Sequence, residues 1–242
     1  MEEPREVMRA HETLSDIRNM GFGGWLVYAT DRTLGKLLRG KGGFHVLKFY
    51  LQPVPAARLV PERPNDPVVV AEIDRTAVAE AAFDRPVGAI PQRFDDGSVC
   101  IAALKQGELL GFMWLQHGVL RERIVRCRMH AVPASRVEWD YDFFIEPRYR
   151  LGRLFARLWD AAAEHLRDRN VEATLSWVHL ANRASAKAHA RLGARPIGWA
   201  AFLSVLGHQF MISSMRPRIA WSRPGQTVDL YVDATETLDR PV

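Results

Sequence analysis

From Phe44 onward the chain is a succession of short runs in which apolar and polar positions alternate, interrupted by segments with a helical period. Phe44–Leu51 is rich in β-formers and ends at Pro53. A proline-containing loop over residues 53–67 leads to a short strand at Val68–Ile73, and Asp74 then caps a helix reaching Phe83. Val99–Leu104 and Leu109–Gln116 are apolar runs joined by Gln106-Gly107-Glu108, which predicts an antiparallel hairpin. Arg121–Val132 alternates and reads as one further strand. In Val137–Ile145 strict alternation puts Val137, Trp139, Tyr141, Phe143 and Ile145 on one face and Glu138, Asp140, Asp142 and Phe144 on the other. Leu151–Arg169 is an amphipathic helix with Leu154, Leu158, Ala161, Ala162 and Leu166 along one side. Thr174–His179 is a strand, Asn182–Leu192 a helix closed by Gly193, and residues 195–206 and 207–215 form a closing hairpin.

That order is an antiparallel meander followed by strand–helix–strand–helix–strand–strand. A strand–helix–strand crossover joins parallel neighbours, so the expected fold is α/β, with an α+β-like mixed sheet flanked by helices. Residues 1–43 read as a helical extension, 44–215 as the domain and 216–242 as a tail without regular structure or forming a sheet edge. Within the extension, Glu12–Met20 and Asp31–Leu38 are helical, stopped by Gly21, Gly23 and Gly24 and by Gly40, Gly42 and Gly43.

The 242 residues are 48% hydrophobic and 25% charged, an ordinary globular balance. The formal net charge of +5 is carried almost wholly by arginine and suits an anionic partner, but equally a solvated surface. Cys100 and Cys127 sit in strands without metal-ligand spacing, so no metal site is expected, and buried thiols imply a reducing compartment. The acidic, polar N-terminus does not read as a signal peptide. The longest apolar stretch, Ile197–Gly207, is about half a bilayer span, so a cytoplasmic location is expected. The extension mixes aromatics and leucines with Arg32, Lys36, Arg39 and Lys41. It reads either as a helix packed on the domain or as one lying on a lipid headgroup layer.

The chemistry concentrates after Ile145. A strand, Pro147, the loop RYRLGR and a helix start follow one another, so the helix offers unpaired N–H groups and the positive end of its dipole beside Arg148, Arg150 and Arg153, while Gly152 permits close backbone approach. Such an arrangement suits a diphosphate. A second segment, NRASAKAHARLGA, is a helix capped by Asn182, with Ser185 and His189 four residues apart on one face. These two segments, together with the strand GELLGFMWL, resemble the GNAT acyltransferase superfamily over residues 44–215. FFIEPRYRLGRLFARLW resembles the family's strand–loop–helix signature, and NRASAKAHARLGA matches its second motif at Asn182, Ser185, Arg191 and Gly193. Two departures are evident: the loop has one glycine, Gly152, where the family has two or three, and His189 stands where the family has a tyrosine.

The resemblance implies the GNAT fold, with strands 137–145 and 174–179 parallel and splayed. It implies acetyl-coenzyme A or another acyl-coenzyme A as co-substrate, no metal, and direct attack by an amine in a ternary complex. By position, Phe143, Phe144 and Ile145 flank the thioester with a backbone N–H, and Arg148, Arg150, Leu151, Gly152, Arg153, Leu154, Asn182 and Ser185 bind the coenzyme. His189 would protonate the leaving thiolate. The carboxylates Glu138, Asp140 and Asp142, sharing one face, raise one another's pKa unless paired, and Asp140 and Glu138 are the first choices for the base. His179 and His130 are alternatives, and Arg126 and Arg128 are the expected partners if the carboxylates are paired. The sparse-glycine loop also fits a module that binds acyl-coenzyme A without turnover. A basic nucleic-acid-binding domain lacks any recognition motif here. The extension and the tryptophans point to a bulky or lipid-like amine, a long acyl chain or a peripheral membrane site, with protein N-termini, sugars and antibiotics as alternatives. The last strands offer an edge for a homodimer.

Overall fold

In the computed structural model, residues 3–122, 124–150 and 152–240 are described. They form α1 (Glu3–Leu37), β1 (Gly42–Pro53), β2 (Val68–Ile73), α2 (Ala89–Asp95), β3 (Val99–Lys105), β4 (Glu108–His117), β5 (Val119–Glu122), β6 (Cys127–Val132) and β7 (Val137–Ile145). After these come α3 (Leu154–Asp168), β8 (Ala173–His179), α4 (Arg183–Arg191), β9 (Arg195–Val205), β10 (His208–Ser213), β11 (Ile219–Ser222), β12 (Val228–Asp233) and α5 (Thr235–Leu238). The larger sheet has nine strands in the order β11-β10-β9-β1-β8-β7-β4-β3-β2, and a second sheet has three, β12-β6-β5. The fold is the expected mixed α/β arrangement. The chain divides into two compact units, Met1–Gln52 with Arg121–His130 and Trp177–Asp233, and Pro53–Leu120 with Ala131–Ser176 and Ala234–Val242.

In the second unit, β2, β3, β4 and β7 pair antiparallel in turn, and β7 runs parallel to the start of β8. Helix α3 packs against β2, β3 and β4. It buries Leu154, Leu158, Ala162 and Leu166 of the expected stripe, together with Trp159 and Ala163, while Ala161 is only half-buried. Asp160 is buried on α3 and accepts hydrogen bonds from the amides of Leu59 (2.7 Å) and Val60 (3.2 Å), which ties the proline-rich loop to the helix. The opposite face carries a cluster of Ile73, Phe83, Ile90, Cys100, Ala102, Phe112 and Trp114, against which Phe94, Tyr141 and Phe144 pack.

The β4–β7 ladder contains the irregularity on which the site depends. Trp114 pairs with Tyr141 and Phe112 with Phe144, so Asp142 and Phe143 together oppose the single residue Met113. Asp142 takes a left-handed backbone, φ 48°. Strict alternation therefore fails at this point. Glu138 and Asp140 keep one face, whereas the bulge turns Asp142 toward the aromatic cluster. Gly111 stands where β7 crowds β4: a Cβ there would lie 2.8 Å from the Phe144 carbonyl oxygen.

In the first unit, α1 continues through Gly23 and Gly24 and leaves helical geometry only at Gly21 (φ 73°, ψ 160°). Close packing explains Gly24 inside a helix, since a Cβ would sit 2.9 Å from Ala181 Cα. β1 pairs antiparallel with β9, β9 with β10 and β10 with β11. The tail after Pro217 thus supplies β11 and β12 rather than irregular chain.

Two expected elements differ. Asp74 does accept hydrogen bonds from the amides of Thr76 (2.8 Å) and Ala77 (3.0 Å), but the chain makes only a 3₁₀ turn at Glu80–Phe83. Asp84 (φ 46°) and Pro86 break it, and the helix appears later as α2. The expected single strand 121–132 is two strands, because the Glu122 carboxylate accepts the Ile124 amide at 2.8 Å and sets a turn.

Gly111→Ala is expected to lower stability by about 1–3 kcal/mol through overpacking at the bulge. Gly152→Ala, whose Cβ would meet only the Tyr149 carbonyl oxygen at 3.4 Å, is expected to melt with the unaltered protein. Thermal unfolding of the two variants side by side checks both.

Candidate functional site

The second unit brings the C-terminal half of β7, the loop after Pro147 and the start of α3 into sequence-local proximity. Among the described residues, the parallel ladder to β8 covers Val137–Trp139 against Ala173–Leu175. From Asp140 to Ile145 β7 continues past the end of that ladder while still paired with β4. Residues 147–149 make a short 3₁₀ turn started by Pro147, and α3 begins at Leu154 with Arg153 as its N-cap and no side-chain cap. The first-turn amides of α3 are therefore not satisfied by a capping side chain, which leaves them for an anion.

The arginines of the loop are already oriented. Arg150 Nε donates to the Ile145 carbonyl at 2.9 Å, Arg148 pairs with Glu108, and Arg153 donates to the Pro61 carbonyl. Arg148 is half exposed in that pair. Gly152 is exposed, with the Tyr149 carbonyl oxygen 3.4 Å from where a Cβ would sit, and Leu151 lies outside the described residues. Phe143 sets its ring 4.9 Å from Phe155 in the first turn of α3, Phe144 stacks on Phe112 at 5.4 Å, and Ile145 is buried. These contacts fix β7 against the helix tip.

The three carboxylates part company. Glu138, 2% exposed, accepts from Arg169 Nε at 2.8 Å and lies 3.6 Å from His117 Nδ1. It sits inside the ladder. Asp140, 4% exposed, accepts from the Thr174 hydroxyl at 2.6 Å and is the first residue past the ladder. Asp142 is gripped by Arg85, through Nε at 2.9 Å and Nη2 at 2.6 Å, and by Arg93. Burial alone would raise the Asp142 pKa, but the Arg85 and Arg93 guanidiniums outweigh it and hold the carboxyl below its usual value. Arg85 lies over Phe112 (5.2 Å) and Phe144 (5.8 Å), and Arg93 over Trp114 (5.1 Å) and Tyr141 (5.2 Å). The expected partners were different: Arg128 pairs with Asp229, and Arg126 bonds the Gln226 carbonyl.

The sequence model of the acetyltransferase (GNAT) family matches residues 70–194, more than half of the chain. The chain belongs to the acetyltransferase (GNAT) family. Its GNAT segment runs from β2 to the end of α4 and contains every element just described. No curated protein matches the chain. Similar solved structures include a functionally unknown conserved protein from Staphylococcus epidermidis (10% identity, 72% of this chain and 66% of that one, TM-score 0.48). A GCN5-related N-acetyltransferase from Kribbella flavida is 19% identical over 71% of this chain and 62% of that one, TM-score 0.43. A tandem GNAT protein from the clavulanic acid biosynthesis pathway is 15% identical over 63% and 50%, TM-score 0.44. The chain spans between half and two thirds of the length of these structures.

In the first unit the second GNAT motif forms α4. Asn182 Oδ1 accepts from the Ser185 amide at 3.1 Å, so Asn182 serves as the N-cap. His189 and Ser185 are half-buried, and the His189 ring stacks on Tyr50 at 6.1 Å. His179 is half-buried beside His45 (5.7 Å between rings), and burial, then that neighbour, hold its pKa below the ordinary imidazole value. His130 is occupied by Asp229 at 2.7 Å.

Sequence reasoning missed Arg85 and Arg93, which lie in the segment after the shortened helix and carry no motif. It also missed the buried chain in which the Tyr141 hydroxyl meets Ser98 Oγ at 2.8 Å and Ser98 donates to Gln116. Burial pushes the Tyr141 phenol up to about 12. Tyr141 stays protonated across the working range. Among the described residues no group of three His, Cys, Asp or Glu side chains is placed to hold a metal ion.

Asp142→Asn is expected to destabilise the fold by about 2 kcal/mol at neutral pH, because two guanidiniums lose their counter-charge. A depressed folded-state pKa contributes stability that is complete above the free carboxyl value of 3.8 and is lost as the pH falls below it. The deficit of the variant should therefore shrink in acid, and urea unfolding at neutral pH and at progressively lower pH measures this.

Proposed function

We propose that the chain is an N-acyltransferase that moves an acyl group, acetyl or longer, from acyl-coenzyme A to a primary amine by direct attack. The observation that carries this reading is the stretch of β7 beyond Trp139, past the end of the ladder to β8 and ending at an uncapped helix tip. The residues present suit the coenzyme. Amides of Leu154, Phe155 and Ala156 and the side chains of Arg148 and Arg150 hold the diphosphate, with Gly152 leaving room for it. Bound there, the coenzyme supplies an activated thioester carbonyl. The backbone of Phe143–Ile145 on that stretch offers N–H donors to the carbonyl oxygen. Holding donor and amine together supplies much of the rate.

Among the carboxylates Asp140 is the preferred base, since it stands where β7 leaves the parallel ladder. Glu138 and Asp142 are bound to arginines and act as structural charges. His189 is the proton donor to the departing thiolate.

Arg150→Ala is expected to raise KM for acetyl-coenzyme A roughly tenfold with little change in kcat, by the loss of one charge-assisted bond. Asp140→Asn and His189→Phe are expected to lower kcat by about 10²-fold or more with binding kept. Steady-state release of free thiol with a panel of primary amines, alongside calorimetric coenzyme binding, checks all three. Tight binding with no thiol released would turn the reading into the non-catalytic binding module. No binding at all would reject the site.

A further inference from the structure

Among the described residues, β9, β10 and β11 of the first unit carry a face lined with exposed large apolar side chains. β9, β10 and β11 pair in register, so Leu203, Phe210 and Trp221 stand side by side, as do Ala201, Ile212 and Ile219. Their exposures are far from those of a core: Leu203 37%, Phe210 49%, Ile212 52%, Ile219 78% and Trp221 50%, with Trp199 further along β9 at 42%. The reverse face of the same strands is buried, including Ala200, Phe202 and Met211. A single exposed leucine needs no explanation, but six large apolar side chains on one face of one sheet do.

Charge identifies the occupant. No acidic residue occurs between Glu172 and Asp229, whereas Arg183, Lys187, Arg191, Arg195, Arg216, Arg218 and Arg223 do. On the patch itself Arg223 lies over the Trp221 ring at 5.4 Å, Arg216 and Arg218 are exposed in the β10–β11 connection, and exposed Lys48 pairs across from Trp199. An isologous contact between two copies would set this patch against itself, arginine facing arginine, with no carboxylate of these strands to neutralise it. A nucleic acid would satisfy the arginines but would leave Leu203, Ile212 and Ile219 without stacking partners. Aromatic and aliphatic side chains rimmed by arginine match the boundary between headgroups and acyl chains of an anionic bilayer.

We infer that the β9–β10–β11 face docks on the surface of a membrane containing anionic lipid, as a peripheral contact. Among the described residues no helix is long and apolar enough to cross a membrane. The apolar side chains enter the headgroup boundary while Arg216, Arg218, Arg223 and Lys48 meet lipid phosphates. This inference stands apart from the acyl-transfer reading, and either can fail alone.

The test is co-sedimentation of the full chain with vesicles of phosphatidylcholine alone and of phosphatidylcholine with phosphatidylglycerol, at low and high salt. The expected result is sedimentation with the mixed vesicles only, reversed by high salt. Arg218→Glu should weaken it at least about fivefold, as the attraction of one basic residue to the surface predicts. The double variant Phe210→Thr with Trp221→Thr, which keeps β-propensity on an outward face, should abolish it while melting with the parent protein. Failure of the unaltered, folded protein to sediment with mixed vesicles overturns the inference, and so does equal binding to neutral vesicles. A vesicle-independent dimer that the double variant dissolves would assign the face to a second copy, and binding of RNA or DNA lost in the same variant would assign it to nucleic acid. Either result overturns the membrane proposal.

Discussion

A carboxylate in left-handed backbone, clasped by two guanidiniums, shapes the second unit. Asp142 costs about 1–3 kcal/mol to hold at φ 48°, and the grip of Arg85 and Arg93 offsets that cost. Both arginines rest on the aromatic shelf of Phe112, Trp114, Tyr141 and Phe144, so the clamp is anchored to the core rather than to solvent. The extra residue bends β7, and Gly111 on β4 makes room for the Phe144 carbonyl that follows it. Beyond this point β7 stays paired with β4, and its chain leads directly into the loop and the bare tip of α3.

The same bulge sorts three carboxylates that the primary structure presents as equals. Glu138 remains within the ladder, neutralised by Arg169. Asp142 is turned away to the arginine clamp. Asp140 lies at the end of the parallel ladder, where it accepts a hydrogen bond from the Thr174 hydroxyl. The charge asymmetry of the chain has a similar logic: in the second unit Glu108, Glu138, Asp142 and Glu172 pair with arginines, while the strands from β9 to β11 carry arginines with no acidic neighbour in sequence.

Much of the second unit was legible in the sequence. Alternation placed β7, apolar runs about a short turn placed β3 and β4, and the Leu154–Leu158–Leu166 stripe placed α3; in the first unit, Asn182 with Gly193 bracketed α4. What alternation could not reveal was the point where it stops, because a bulge at Asp142 leaves no mark in a run of apolar and acidic residues. Arg85 and Arg93 were invisible for the same reason: their role exists only once the loop after Phe83 folds over the aromatic cluster. Likewise Gly24 reads as a helix stop, yet it lies within α1 because Ala181 packs so closely there. Side-chain turns such as that set by Glu122 also override propensity, which is why one expected strand became two.

The most direct measurement is backbone hydrogen exchange with and without saturating acetyl-coenzyme A. The account predicts slowed exchange confined to Phe143–Ile145 and to the first-turn amides Leu154–Ala156, since these are the groups proposed to meet the carbonyl and the diphosphate. Unchanged exchange at both segments under saturating ligand, or protection centred elsewhere, would contradict it.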